Sequence, residues 1–131
     1  MLLTRRTLLT GFAPAGVLAL IAPAVLATPA LEHSRAQLAR LRALMRDQHS
    51  ARAIGKIYLR GTPEEADRQG LVMLILAAMA LPASELPRIP ASRLASLLHE
   101  TISADFSSGR TVNLHGWILS VTEARVCALW V

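Results

Sequence analysis

One cysteine, Cys127, and one lysine, Lys56, stand in the 131 residues, and the aromatic set is two Trp, one Tyr and two Phe. A lone thiol cannot close an internal disulfide, so the fold has to hold without covalent staples. The missing Cys-x-x-Cys and His-x-x-x-His argue against a metal site, and the missing Cys-x-x-Cys-His excludes conventional covalent haem attachment. Gly-x-Ser-x-Gly is absent, no glycine-rich phosphate loop precedes a helical pattern, and adjacent carboxylates occur only as Glu64-Glu65. These gaps remove the usual marks of acyl transfer, phosphoryl transfer and paired-carboxylate hydrolysis, so the expectation is that the chain is not an enzyme and has no catalytic residues. Basic runs interleaved with aromatics are also lacking, which argues against a nucleic-acid partner.

Charge is arginine-based and modest. Lys and Arg together number 14 against 9 Asp and Glu, a formal +5. Arg5 and Arg6 supply two of those charges, so residues 28–131 carry +3. The candidates for metal binding are His99, His115 and Cys127, with Met73 and Met79 available. A soft copper site wants thiolate, imidazole and thioether together. No two of these residues fall at i, i+3 or i, i+4, and Cys127 sits among apolar neighbours as a small core residue would. No metal ligand and no cofactor is therefore expected.

What the chain does have is a distinctive beginning. Thr4-Arg5-Arg6-Thr7-Leu8-Leu9-Thr10 precedes an apolar run from Gly11 to Leu26. A charged head, an apolar middle and a small-residue exit make an export signal. The order Thr-Arg-Arg-x-Leu-Leu, with Arg5, Arg6, Leu8 and Leu9 in the defining places, resembles the twin-arginine (Tat) signal read by the bacterial translocase for folded proteins. Gly11, Pro14, Gly16 and Pro23 keep the run only moderately hydrophobic, whereas a stable span wants ~20 strongly apolar residues. Val25-Leu26-Ala27 offers small residues to a signal peptidase, which places cleavage after Ala27, with Ala24 and Ala30 as alternatives. An ordinary secretory signal and a retained anchor are the competing readings. The resemblance implies a Tat-type signal peptide over 1–27, a small helical domain over 28–131, and a periplasmic destination with membrane contact only through the signal.

Along 28–131 the expected fold is mainly α: a small bundle of four or five helices with a short β-hairpin before the last one. Thr28–Leu31 reads as a frayed leader. Leu38, Leu41, Leu44 and Met45 recur at helical spacing from Ser34 to His49. Ile54, Ile57 and Tyr58 continue the pattern to Arg60, with Gly61 placed to end it and Gly55 inside it. Thr62-Pro63-Glu64-Glu65 has the form of a capping box opening a third helix. That helix becomes apolar all round from Leu71, as a buried central helix would, though Leu71–Leu81 is too short to span a membrane. Pro82, Pro87 and Pro90 predict an extended connector. Ser92 is placed to cap a fourth helix and Gly109 to end it. Thr111–Leu114 and Trp117–Leu119 form the hairpin around His115-Gly116, and Ser120-Val121-Thr122-Glu123 is a second capping box opening the last helix.

The densest run of specific-looking residues is Asp105-Phe106, Gly109 to Val112, Gly116-Trp117, Ser120 and Thr122 to Arg125. It resembles the closing segment of small uncharacterised Tat-signal proteins of proteobacteria, over about the last quarter of the chain, and the resemblance implies no activity. Two roles compete for these residues: core and caps, with Trp117 filling the interior, or a docking surface anchored by Arg110 and Trp117, since Arg and Trp lead among interface hot spots. Val126, Leu129, Trp130 and Val131 either finish the core or extend that surface.

A folded-protein exporter asks for a reason, and a domain this small has little room for its own cofactor. The reading that follows is an accessory or escort subunit carried with, and docking on, a larger periplasmic protein, an oxidoreductase, through Arg110, Trp117 and Trp130. A stand-alone periplasmic binding or stress protein is the alternative, and a metal-handling protein using Cys127 and histidine the second alternative.

Overall fold

The computed structural model describes residues 28–131; the export motif at Arg5, Arg6, Leu8 and Leu9 and the cleavage site at Val25 and Ala27 lie outside them. The described chain is mainly helical, with a two-stranded antiparallel hairpin immediately before the last helix, as expected. Its elements are α1 (Pro29–Arg42), α2 (Gln48–Gly61), a 3-10 turn (Pro63–Glu65), α3 (Arg68–Ala78), α4 (Ala91–Ser108), β1 (Thr111–Leu114), β2 (Trp117–Ser120) and α5 (Val121–Ala128). Among the described residues no helix is long and apolar enough to cross a membrane.

Local chemistry sets most boundaries, and it moves several from where periodicity puts them. Pro29 occupies the first turn of α1, where its missing N–H costs nothing, so the helix begins inside the stretch expected to fray. α1 stops at Arg42, and Asp47 starts a new helix: its carboxylate accepts from the backbone N–H of His49 (3.1 Å) and Ser50 (3.2 Å). The break therefore falls between Arg42 and Gln48, and α2 runs unbroken through Gly55. Thr62 does not cap α3. Its hydroxyl donates back to the Tyr58 carbonyl (2.8 Å), and Asp67 caps instead, accepting from the Gly70 N–H at 2.7 Å. Ser92 likewise lies within α4, whose N-cap position is Pro90.

The connector between α3 and α4 is folded into turns rather than extended. Its Leu86 is fully buried, and the Arg40 guanidinium donates to the carbonyls of Leu86 and Ile89. Proline stiffness here favours tight turns because an apolar residue lies between the prolines and has somewhere to go. Gly109 ends α4 in the left-handed region at φ 75°, a conformation glycine adopts without a Cβ penalty. The hairpin pairs Thr111 with Ser120 and Leu114 with Trp117, and both turn residues, His115 and Gly116, have positive φ, as a two-residue connection of right twist requires.

Both α3 and α5 feed the core, and α5 rather than α3 is the helix that the other elements share as a neighbour. Ala124, Val126, Ala128 and Leu129 are all at most 1% exposed, whereas Met73 and Leu74 of α3 are 50% and 37% exposed. Leu71, Val72, Ile75 and Leu76 are the face of α3 that turns inward. Val126 and Leu129 thus finish the interior. Two side chains fix the start of α5: Ser120 Oγ accepts from the Glu123 N–H (2.9 Å), and Asp105 Oδ2, buried on α4, accepts from the Thr122 N–H (3.0 Å). The backbones of α2 and α5 meet at Gly55, where a Cβ would lie 2.5 Å from the Cys127 carbonyl oxygen. Only glycine permits that approach.

Candidate functional site

The most exposed large apolar side chains in the described residues belong to β2. Trp117 is 77% exposed and Ile118 63% exposed. Trp117 therefore does not fill the core, the first of the two roles open to it. In a strand successive side chains take opposite faces, so Trp117 shares its face with Leu119 and, through the register, with Leu114 and Val112. That face looks onto α2. Between them lies an apolar groove of about 440 Å³, walled by Ala53, Ile54 and Ile57 on α2 and by Leu114, Trp117 and Leu119 on the hairpin, with Ser50 and His115 at its polar margin.

The groove exists because α2 has more apolar surface than the core can use. Tyr58 and Ala51 face inward at 3% exposure each, while Ile54 and Ile57, on another part of the helix, are only partly covered. Sequence periodicity marks Ile54 and Ile57 as apolar face residues and leaves their role as groove wall unseen. The signal is present in the width of the apolar stripe, which exceeds what one small core can cover.

The docking residues expected from sequence are not brought together. Arg110 precedes β1 at the base of the hairpin, where its carbonyl accepts from the Val121 N–H and its guanidinium forms a 3.8 Å ion pair with buried Asp105. Trp117 is at the other end of the ribbon, beside the turn. Trp130 lies elsewhere, half-buried just beyond α5, with the Arg42 guanidinium 5.3 Å from its ring centroid. Trp117 alone of the three stands on the groove.

One cluster of interior polar groups is held by mutual hydrogen bonds. Arg125 on α5 grips Glu65 through two hydrogen bonds (Nε to Oε2, 3.0 Å; Nη2 to Oε1, 2.8 Å), and the Tyr58 hydroxyl donates to the same carboxylate at 2.6 Å. Hydrogen bonding from Arg125 holds the Glu65 carboxyl below its ordinary range, with Tyr58 adding to the effect and burial opposing it. Burial, and then the Glu65 carboxylate, push the Tyr58 phenol up. This bidentate clamp ties the 3-10 turn to α5 and leaves Glu65 no capping role. Cys127 is 3% exposed, and burial, with a contribution from Glu123, pushes its thiol up to about 12. Such a thiol is neither nucleophile nor ready metal ligand at neutral pH. Among the described residues no three His, Cys, Asp or Glu side chains converge as a metal site.

The fold is thus a helical bundle closed by a hairpin that presents one apolar face to solvent. No protein-family model matches this sequence, and neither the curated proteins nor the solved structures hold a significant match.

Proposed function

We propose that this chain is a Tat-exported periplasmic accessory subunit that docks on a larger enzyme, an oxidoreductase loaded with its cofactor before export, through the hairpin face. The observation that carries the reading is a tryptophan with three-quarters of its surface in water at the lip of an apolar groove. Exposed large aromatics beside a pocket are the usual anchors of an interface, and an apolar helix or strand inserted there would cover Trp117, Ile54 and Ile57 together. The sequence Thr4-Arg5-Arg6-Thr7-Leu8-Leu9 supports the export half of the proposal, since a folded escort can take a partner lacking its own signal through the same translocase.

Both halves are tested in one strain. Tagged chain recovered from periplasm should bring down one stoichiometric cofactor-bearing enzyme, and Trp117→Ser should weaken that association about 30-fold, the effect of a ~2 kcal/mol hot spot. Replacing Arg5 and Arg6 by lysine should strand both proteins in the cytoplasm. Recovery of the chain alone, or capture indifferent to Trp117→Ser, would refute the docking role. Unchanged secretion of the lysine variant would refute the route.

A further inference from the structure

A second cleft, of about 570 Å³, flanks the first turns of α2 beside the groove, shares none of its lining residues and has the opposite character. Three helices each send one arginine to it: Arg42 from the end of α1, Arg52 from α2 and Arg68 from the start of α3. His49 and Trp130 add to the wall, and no carboxylate side chain lines it. The two nearest aspartates in sequence are committed as helix caps, Asp47 to His49, Ser50 and the Ser50 hydroxyl, and Asp67 to Gly70. Arg68 also donates to the backbone oxygen of Val131 at the edge of the cleft. Arg42 and Arg52 thus face one space that no carboxylate side chain enters.

The arginines differ in how they are held. Arg42 is fixed: its Nε donates to the Leu129 carbonyl at 2.7 Å and its guanidinium lies over the Trp130 ring, so its terminal nitrogens are presented in a set direction. Arg68 gives one donor to the Val131 carbonyl oxygen at 2.9 Å. Arg52 is exposed and makes no hydrogen bond or ion pair among the described residues. Burial, then the neighbouring positive charges of Arg68 and Arg52, lower the pKa of Arg42, which is how uncompensated crowding of cations registers.

We propose that this cleft binds a small phosphate-bearing molecule. Donors that approach from three separate helices suit a tetrahedral oxyanion with several acceptor oxygens, whereas a planar carboxylate is satisfied by one or two arginines. The volume is that of a small-molecule site, about 300–1,000 Å³. The ligand carries at least two negative charges, since Arg42 and Arg52 both keep their terminal donors free for it. This site is independent of the hairpin face, and the chain binds its anion without the docking partner.

The test is titration calorimetry of the full chain at low ionic strength with inorganic phosphate, pyrophosphate and citrate, on the wild type, Arg52→Gln and Arg60→Gln. Arg60 is exposed on the same helix and does not line the cleft, so its replacement removes the same charge without removing a proposed ligand. Saturable binding of pyrophosphate, weakened about tenfold or more by Arg52→Gln and less than twofold by Arg60→Gln, is expected from the loss of a charge-assisted hydrogen bond. Equal effects of the two substitutions, or no saturable binding of either phosphate probe, would overturn the site. Citrate binding tighter than pyrophosphate would overturn the ligand class.

Discussion

Replacing Gly55 with alanine sets two known effects against each other. Within a helix, alanine is favoured over glycine by about 0.5–1 kcal/mol because it restricts the unfolded chain. At this position, however, the new methyl would lie 2.5 Å from the Cys127 carbonyl oxygen and 2.8 Å from the Ala128 Cα, and both are backbone atoms of α5 that cannot swing aside. Reaching ordinary contact at about 3.4 Å requires α2 and α5 to part by ~0.6–0.9 Å. A gap of that size forfeits roughly a quarter to a half of the dispersion attraction of every pair across the seam. Overpacking of this kind costs about 1–3 kcal/mol, so the net expectation is a loss of about 1–2 kcal/mol, or a Tm lower by roughly 5–15 °C for a domain of this size. Urea denaturation followed by circular dichroism measures it, with Gly61→Ala as the comparison. Gly61 has open space where its Cβ would be and no left-handed backbone, so alanine there should be neutral or stabilising by up to ~1 kcal/mol. A Gly55→Ala protein as stable as the wild type would refute the claim that the two helices touch through that residue.

Two further expectations concern buried groups. Glu65→Gln should lower stability by about 1.5–3 kcal/mol at neutral pH by removing the charge from the Arg125 clamp. Because the folded carboxyl titrates below the unfolded value of ~4.3, its contribution is complete above that value and disappears as pH falls through the lower folded one. The difference in urea midpoint between wild type and variant should accordingly hold from about pH 5 to 8 and close below about pH 4; a gap undiminished at about pH 2 would contradict the assignment. For Cys127, iodoacetamide at about pH 8 should leave the native protein unlabelled and modify it fully in urea, read by intact mass.

Features encoded within a few residues are legible in the sequence itself. Ser120 caps as expected, its hydroxyl accepting from the Glu123 N–H three residues on, Gly109 ends its helix, and the alternation around His115-Gly116 locates the hairpin to within one residue. Local signals mislead where they have a distant competitor. Thr62 to Glu65 has the form of a capping box, but Glu65 is held by Arg125, sixty positions later, and Asp67 caps in its place. Uniform hydrophobicity nominates α3 as the central helix, yet short α5, with Ala124 and Ala128 small enough for close approach, is the one its neighbours surround. The groove wall at Ile54 and Ile57 and the basic cleft depend on which faces meet. No spacing rule connects Arg42, Arg52, Arg68 and Trp130.

The placement of α5 has a consequence for the order of events after synthesis. The helix that the others share as a neighbour follows all of them in chain order, so the earlier helices emerge with apolar faces and nothing to close on. Folding of this body is held back until translation has passed Ala128, and then the long-range contacts of Gly55, Glu65 and Asp105 form together.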